Sequence, residues 1–255
     1  MKNSLVYLNL IFFVFITSCV PKKSVVYLQG NQNAIASASN NYEPIIQQDD
    51  ILYIHISSSV IEAAAPFNLE SKSASTSGNA TGFEALKQSY LVDNLGNIEF
   101  PVLGTLYVAG LTMQKLKSNI KEKLLLYVKD PVINIRILNF KISVLGEVNR
   151  PGTISVSSQR ITFLEAISQS GDLTLYGKRD NILLIRDFQG TKTYNRIDIT
   201  KADFVNSPFY YLDQNDVIYV EPKKVKIDST AIGPNVTTLI SIASFILTTV
   251  LIFTR

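Results

Sequence analysis

The chain has 255 residues, a formal net charge of +3, 46% hydrophobic residues, one histidine, one cysteine and no tryptophan. The weak, scattered positive charge excludes a nucleic-acid-binding face, and a lone cysteine excludes an internal disulfide. An apolar core must hold the fold, over a length that suits one large or two small domains.

The chain opens with a short polar stretch bearing Lys2, then an apolar run over 5–16 broken only by Tyr7 and Asn9. This is the layout of a secretory signal, and the run is too short to span a bilayer comfortably. Ile16-Thr17-Ser18-Cys19 looks like a lipobox, in which the thiol of Cys19 carries a diacylglycerol and the chain is cut before it. The alternative is a plain secretory signal with an unrelated cysteine. Residues 1–18 are thus the signal. Residues 19–41, rich in Ser, Asn, Gln and Ala, read as a tether.

Residues 50–57 alternate, with Leu52, Ile54 and Ile56 on one side and Tyr53, His55 and Ser57 on the other, so a half-buried strand is expected. His55 has no partners in the pattern and is read as a half-exposed strand residue rather than a catalytic or metal-binding one. The polar stretch 71–81 reads as a loop. Residues 90–100 read as two strands joined by a turn at 93–97, and 101–110 as a short strand bounded by glycines. Thr112 can cap a helix whose apolar stripe is Met113, Leu116, Ile120, Leu124 and Tyr127. Lys115, Lys117, Lys121 and Lys123 lie mostly off that stripe, on a solvated face. Asp130-Pro131 ends the helix, and Ile133, Ile135 and Ile137 mark a strand.

A second block starts near Phe140. A strand through Ile142 and Val144 leads to a turn-rich link at 146–152. Thr162-Phe163-Leu164-Glu165 is a capping box for a short helix ending at Ser170-Gly171. Strands follow at 181–186, 194–199 and 216–220. The fold class is α+β, with a β-rich domain at 42–138, a small α+β unit at 139–222 and a linker at 223–235. Residues 236–254 carry no charge and read as a C-terminal transmembrane helix about 28 Å long. Thr237, Ser241, Ser244 and Thr248 share one face of it. That face either lines a pore, packs helices together, or bonds back to its own carbonyls.

Both blocks resemble the outer-membrane polysaccharide export family, the Wza-like proteins of capsule and exopolysaccharide secretion. Asp50 stands at the aspartate of the family's opening strand motif, with Asp49 in place of the usual glycine. Asp93, Gly96, Ile98, Phe100, Pro101 and Gly104, then Val108 to Thr112 with Gly110, are similar to the export domain, which Tyr127 to Ile133 with Pro131 closes. Val144 to Val148 with Gly146, then Pro151 and Gly152, look like the entry to an SLBB domain, a β-grasp fold. The stretch 162–171, ending at Gly171, resembles its helix, and Leu212 to Val220 with Asp216 its end.

The resemblance implies a ring-shaped homo-oligomer of lipid-anchored subunits in the outer membrane, with periplasmic bodies. It implies polysaccharide as the transported substrate and an inner-membrane polysaccharide co-polymerase or tyrosine-kinase-type partner. It implies no cofactor beyond the lipid on Cys19. One β-grasp unit is fewer than larger members carry. An enzyme is not expected, because the sequence has no second histidine or cysteine, no phosphate-cradling loop and no metal-ligand spacing. The rival reading is a monomeric glycan-binding envelope lipoprotein with a plain C-terminal anchor.

Overall fold

The structure is a computed structural model that describes residues 22–30, 42–69, 88–188, 190–231 and 234–253. Two hydrophobic cores lie on either side of Asn139 in sequence, and the half-buried Ile137 packs against both.

In the first unit β1 (Ile51–Ser57) buries Leu52, Ile54 and Ile56 and exposes His55, as period-2 alternation dictates. It lies between β2 (Ser89–Leu91) and β5 (Val132–Ile137), antiparallel to both. A short helix, α1 (Ile61–Ala64), follows β1. A separate hairpin joins β3 (Asn97–Phe100) to β4 (Gly104–Tyr107). The turn at 93–97 forms, with Asp93 Oδ1 accepting the N–H groups of Leu95 and Asn97, both at 2.8 Å. The strands flanking it do not pair with each other, since β2 joins β1 and β3 joins β4. Alternation reveals a strand but not its partner. Helix α2 (Met113–Leu124) starts at Thr112, whose hydroxyl accepts the Lys115 N–H, and buries Leu116, Ile120 and Leu124. Tyr127 lies beyond its end and is exposed.

The second unit is a five-stranded sheet in the order β7-β6-β10-β8-β9. Its strands are β6 (Lys141–Gly146), β7 (Gly152–Ser155), β8 (Ile182–Phe188), β9 (Thr191–Ile197) and β10 (Val217–Val220). The central β10 runs parallel to β6 and antiparallel to β8. Helix α3 (Phe163–Gln169) buries Phe163, Ala166 and Ile167 in the core. Its capping box is complete, with Thr162 N donating to Glu165 Oε2 at 2.7 Å and Glu165 N to Thr162 Oγ1 at 3.1 Å.

Residues 22–30, read from sequence as part of a tether, lie along this second unit. Leu28 N donates to Ile199 O at 3.1 Å and Ala202 N to Gln29 O at 2.9 Å. The stretch following β10, read as a linker, contains helix α4 (Lys224–Ala231).

The expected C-terminal transmembrane helix is overturned. Residues 236–254 contribute to helix α5 (Pro234–Phe253), but among the described residues no helix is long and apolar enough to cross a membrane. Hydroxyl-bearing residues recur along α5 at positions 237, 238, 241, 244, 248 and 249, so no apolar run in its sequence is longer than 250–253. The Ser244 and Thr248 hydroxyls donate to the carbonyls of Ile240 and Ser244, each at 2.8 Å. The pore-facing reading of Thr237, Ser241, Ser244 and Thr248 loses its membrane setting with the span. The Thr237 side chain, like Cys19 and the loop at 71–81, lies outside the described residues.

Candidate functional site: the seam between the two units

Asp49 and Asp50 begin the seam. Asp49 takes the left-handed φ of +65°, a conformation that aspartate adopts more readily than most residues. This turns the chain so that Asp50 Oδ2 accepts the Gln47 N–H at 2.8 Å. Asp50 is only 1% exposed, and among the described residues its Oδ1 has no hydrogen-bond partner. Burial pushes its carboxyl up to about 6, against the pull of the Gln47 N–H.

Asn139 fastens the two units. Its Oδ1 accepts the Ile51 N–H at 2.9 Å and its amide donates to Asp49 O at 2.8 Å. Its own carbonyl accepts from Gln214 Nε2 at 2.9 Å, and Gln214 Oε1 accepts the Lys141 N–H at 2.8 Å. Gln214 is buried, so its two bonds to Asn139 and Lys141 are partly shielded from water and strengthened by it.

Beside it stands an ion-pair network. Asp216, fully buried, receives Arg186 Nη2 at 2.7 Å and Nε at 3.0 Å. Arg186 Nη1 lies 2.8 Å from Asp213 Oδ2. Asn215, at φ +64°, sets the tight turn that lets Asp216 Oδ2 also accept the Asp213 N–H at 2.8 Å. Burial pushes the Asp216 carboxyl up to about 6, with Arg186 opposing. Tyr42, from the start of the first unit, donates to Asp213 and to Leu212 O, and stacks on Tyr211 with ring centroids 4.9 Å apart. The Arg160 guanidinium also lies over the Tyr211 ring, 5.3 Å from its centroid.

Tyr42 and Arg160 also line a groove of about 500 Å³ between the units. Tyr42, Glu43, Gln114, Lys117 and Asn134 line it from the first unit and Arg160 from the second. The lining offers amides, one carboxylate, two cations and a tyrosine, a set suited to hydrogen-bonding a hydroxyl-rich or acidic ligand.

The other residues singled out in the sequence do not gather around this groove. Gly96 has φ +83° and its missing Cβ would stand 2.6 Å from the Ala109 Cβ. Asp93 holds the turn before it. Pro101 lies in the β3–β4 turn that Gly104 closes, and Gly110 N donates to Ile46 O at 2.8 Å ahead of α2. Pro131 is buried just before β5. Gly146, at φ +87°, ends β6 where a Cβ would stand 2.1 Å from Val220 O. Pro151 is exposed and Gly152 opens β7, while Gly171 follows α3 at φ +76°. They are turn and close-approach positions that shape the frame. Asn139, Gln214, Arg186, Asp213 and Arg160 escaped sequence reading, since their pairings join distant segments. The adjacent pairs Asp49-Asp50 and Asn215-Asp216, each in a motif stretch, were the local signals pointing there.

Residues 38–138 match the family model for polysaccharide biosynthesis/export proteins, and residues 140–220 match the SLBB domain. The residue between the two ranges is the fastener Asn139. Among curated proteins the chain is similar to the EPS I polysaccharide export outer membrane protein EpsA of Ralstonia solanacearum, 28% identical over 153 residues, covering 57% of this chain and 40% of that protein. It is also similar to the protein of the same name from Ralstonia nicotianae, 34% identical over 101 residues, covering 38% of this chain and 26% of the relative. The match thus spans less than half the length of either relative. Two adjoining family models in the same order as the two structural units, with these relatives beside them, place the chain in the polysaccharide biosynthesis/export family, with an SLBB domain following its export domain.

Proposed function

We propose that this chain is a subunit of an outer-membrane apparatus that exports capsular polysaccharide or exopolysaccharide and does no covalent chemistry itself. The observation that carries this is the ordered pair of export and SLBB domains, fastened at Asn139. The names of the relatives support it, both being polysaccharide export outer membrane proteins. In this reading Cys19 is lipidated and holds the N-terminus at the outer membrane. The two units form a periplasmic body, and copies assemble head to tail into a ring through which polymer passes. An inner-membrane co-polymerase or tyrosine-kinase-type partner drives the polymer. The reading assigns no membrane span to α5.

A monomeric glycan-binding lipoprotein is the second reading, favoured by the polar groove between the units. Deleting the gene and restoring it decides the first point. Polysaccharide should disappear from the cell exterior and return with the restored gene; unchanged surface polysaccharide would refute the export role. Mass measurement of the detergent-extracted protein separates the readings, since a ring is several-fold heavier than the 28.3 kDa chain.

A further inference from the structure

The N-terminal stretch and the start of α4 meet on one loop of the second unit, 172–179. Tyr27 donates its hydroxyl to Asp172, and its ring lies 5.3 Å from the Arg179 guanidinium. From the other side Lys223 N donates to Tyr176 O at 2.7 Å and its Nζ to Leu175 O at 3.1 Å. Lys226 binds Glu147, which also accepts the Thr174 hydroxyl at 2.8 Å. Arg179, buried beneath, donates to the carbonyls of Leu173, Thr174 and Gly177. The backbone of this loop is therefore firmly held.

Its tip is nonetheless apolar and open to water. Leu175 is 72% exposed and Tyr176 48%, and Val225 nearby is 68% exposed. None of the three is used by the core beneath. The surrounding charge is mixed, with Asp172, Asp180 and Asp228 close in sequence, but the lysines nearest the tip, Lys223 and Lys224, stand outside the ion pairs of the described residues. Glu147 is answered by Lys226, and Glu221 by Lys178 and Arg196. Among the described residues neither Lys223 nor Lys224 has a carboxylate partner.

We propose that this loop, with Lys223 and Lys224, docks on an anionic lipid surface. Leucine and tyrosine at the tip suit the boundary between headgroups and acyl chains, and lysines reach anionic headgroups while their stems lie along apolar surface. The two lysines beside the apolar tip, without a carboxylate partner among the described residues, argue for anionic lipid over a second copy of the chain. It fits the path of the chain as well, because Tyr27 follows Cys19 by few enough residues that an extended connection spans at most about 28 Å. The proposal rests on the envelope location given above but not on export itself.

A second exposed apolar patch supplies the control. Leu126 in the first unit is 83% exposed and has charges of both signs beside it, Lys123 and Lys129 with Glu122 and Asp130. Because the chain has no tryptophan, Leu175→Trp and Leu126→Trp each give one fluorescent reporter in the full-length protein. Each is mixed with vesicles of phosphatidylcholine and phosphatidylglycerol bearing brominated acyl chains. The L175W emission should shift to the blue and lose about half its intensity or more, while L126W stays unquenched. Lys223→Glu with Lys224→Glu, or vesicles of phosphatidylcholine alone, should reduce the L175W quenching. Absence of quenching at position 175, equal quenching at both positions, or a blue shift that needs no vesicles and grows with protein concentration would each overturn the proposal. The last outcome would indicate contact between copies. Quenching with export unaffected by gene deletion would sink the export reading alone.

Discussion

Asp49 and Asp50 are neighbours with opposite tasks. The first supplies a left-handed backbone turn at φ +65°, where aspartate substitutes for a glycine at modest cost. The second is carried by that turn into the protein, where among the described residues one carboxylate oxygen has no hydrogen-bond partner. A carboxyl whose folded value is raised stabilises the fold while protonated and loses that contribution as pH rises through the folded value. Asp50 moves from an ordinary 3.8 to about 6, so the stability of the first unit should fall between about pH 4 and about pH 6 by roughly 2 to 3 kcal/mol. Asp216 contributes in the same window and the same direction. Asp50→Asn keeps an acceptor for the Gln47 N–H but removes the buried charge. It should raise the urea midpoint at neutral pH and flatten part of the acid-side slope. An unchanged slope would show that Asp50 is not the titrating group.

At the scale of elements, β6 shows how a strand end is fixed by what it touches. Gly146 lies where β6 meets β10, and any Cβ there would collide with the Val220 carbonyl at 2.1 Å. Gly146→Ala should destabilise the second unit by about 3 kcal/mol or more, read as a lowered unfolding midpoint. Local features of this kind were legible in the sequence. The caps at Thr112 and Thr162, the Asp93 turn and the burial alternation of β1 all depend on residues a few positions apart. Features that depend on distant partners were not legible. The split of β2 and β3 between two sheets follows from contacts with β1 and β4, which no local pattern encodes. Helix α4 has weak apolar periodicity and three lysines within or beside it, so it read as linker. At the C-terminus, charge-free sequence read as a span, but hydroxyls along α5 satisfied locally belong to a helix that falls short of one.

At the scale of the whole molecule, the seam joins the two units through few residues, and Tyr42 is the one that reaches furthest. Its hydroxyl is shared between Leu212 O and Asp213. Tyr42→Phe keeps the stack on Tyr211 but removes that donor. It should cost about 1 to 2 kcal/mol in urea denaturation. It should also loosen the units, seen as faster protease cleavage near Asn139. Cleavage unchanged from wild type would mean that Asn139 and Gln214 hold the seam unaided.

The docking of residues 22–30 on the second unit has a consequence for how the molecule is made. Tyr27 and Asp172 are separated by 145 positions, yet they are hydrogen-bonded. The second unit is thus discontinuous along the chain, with the whole first unit inserted into it. When the chain emerges from its N-terminal end, residues 42–138 are complete first and can collapse on their own core. The early segment must wait, undocked, until 172–202 has also emerged on the side of the membrane where the body folds. Closing so long a loop is slow relative to forming the helices and hairpins inside it. The N-terminal segment is therefore the last piece of the body to find its place, and until then the underside of Arg179 and the edge at Ile199 stand uncovered.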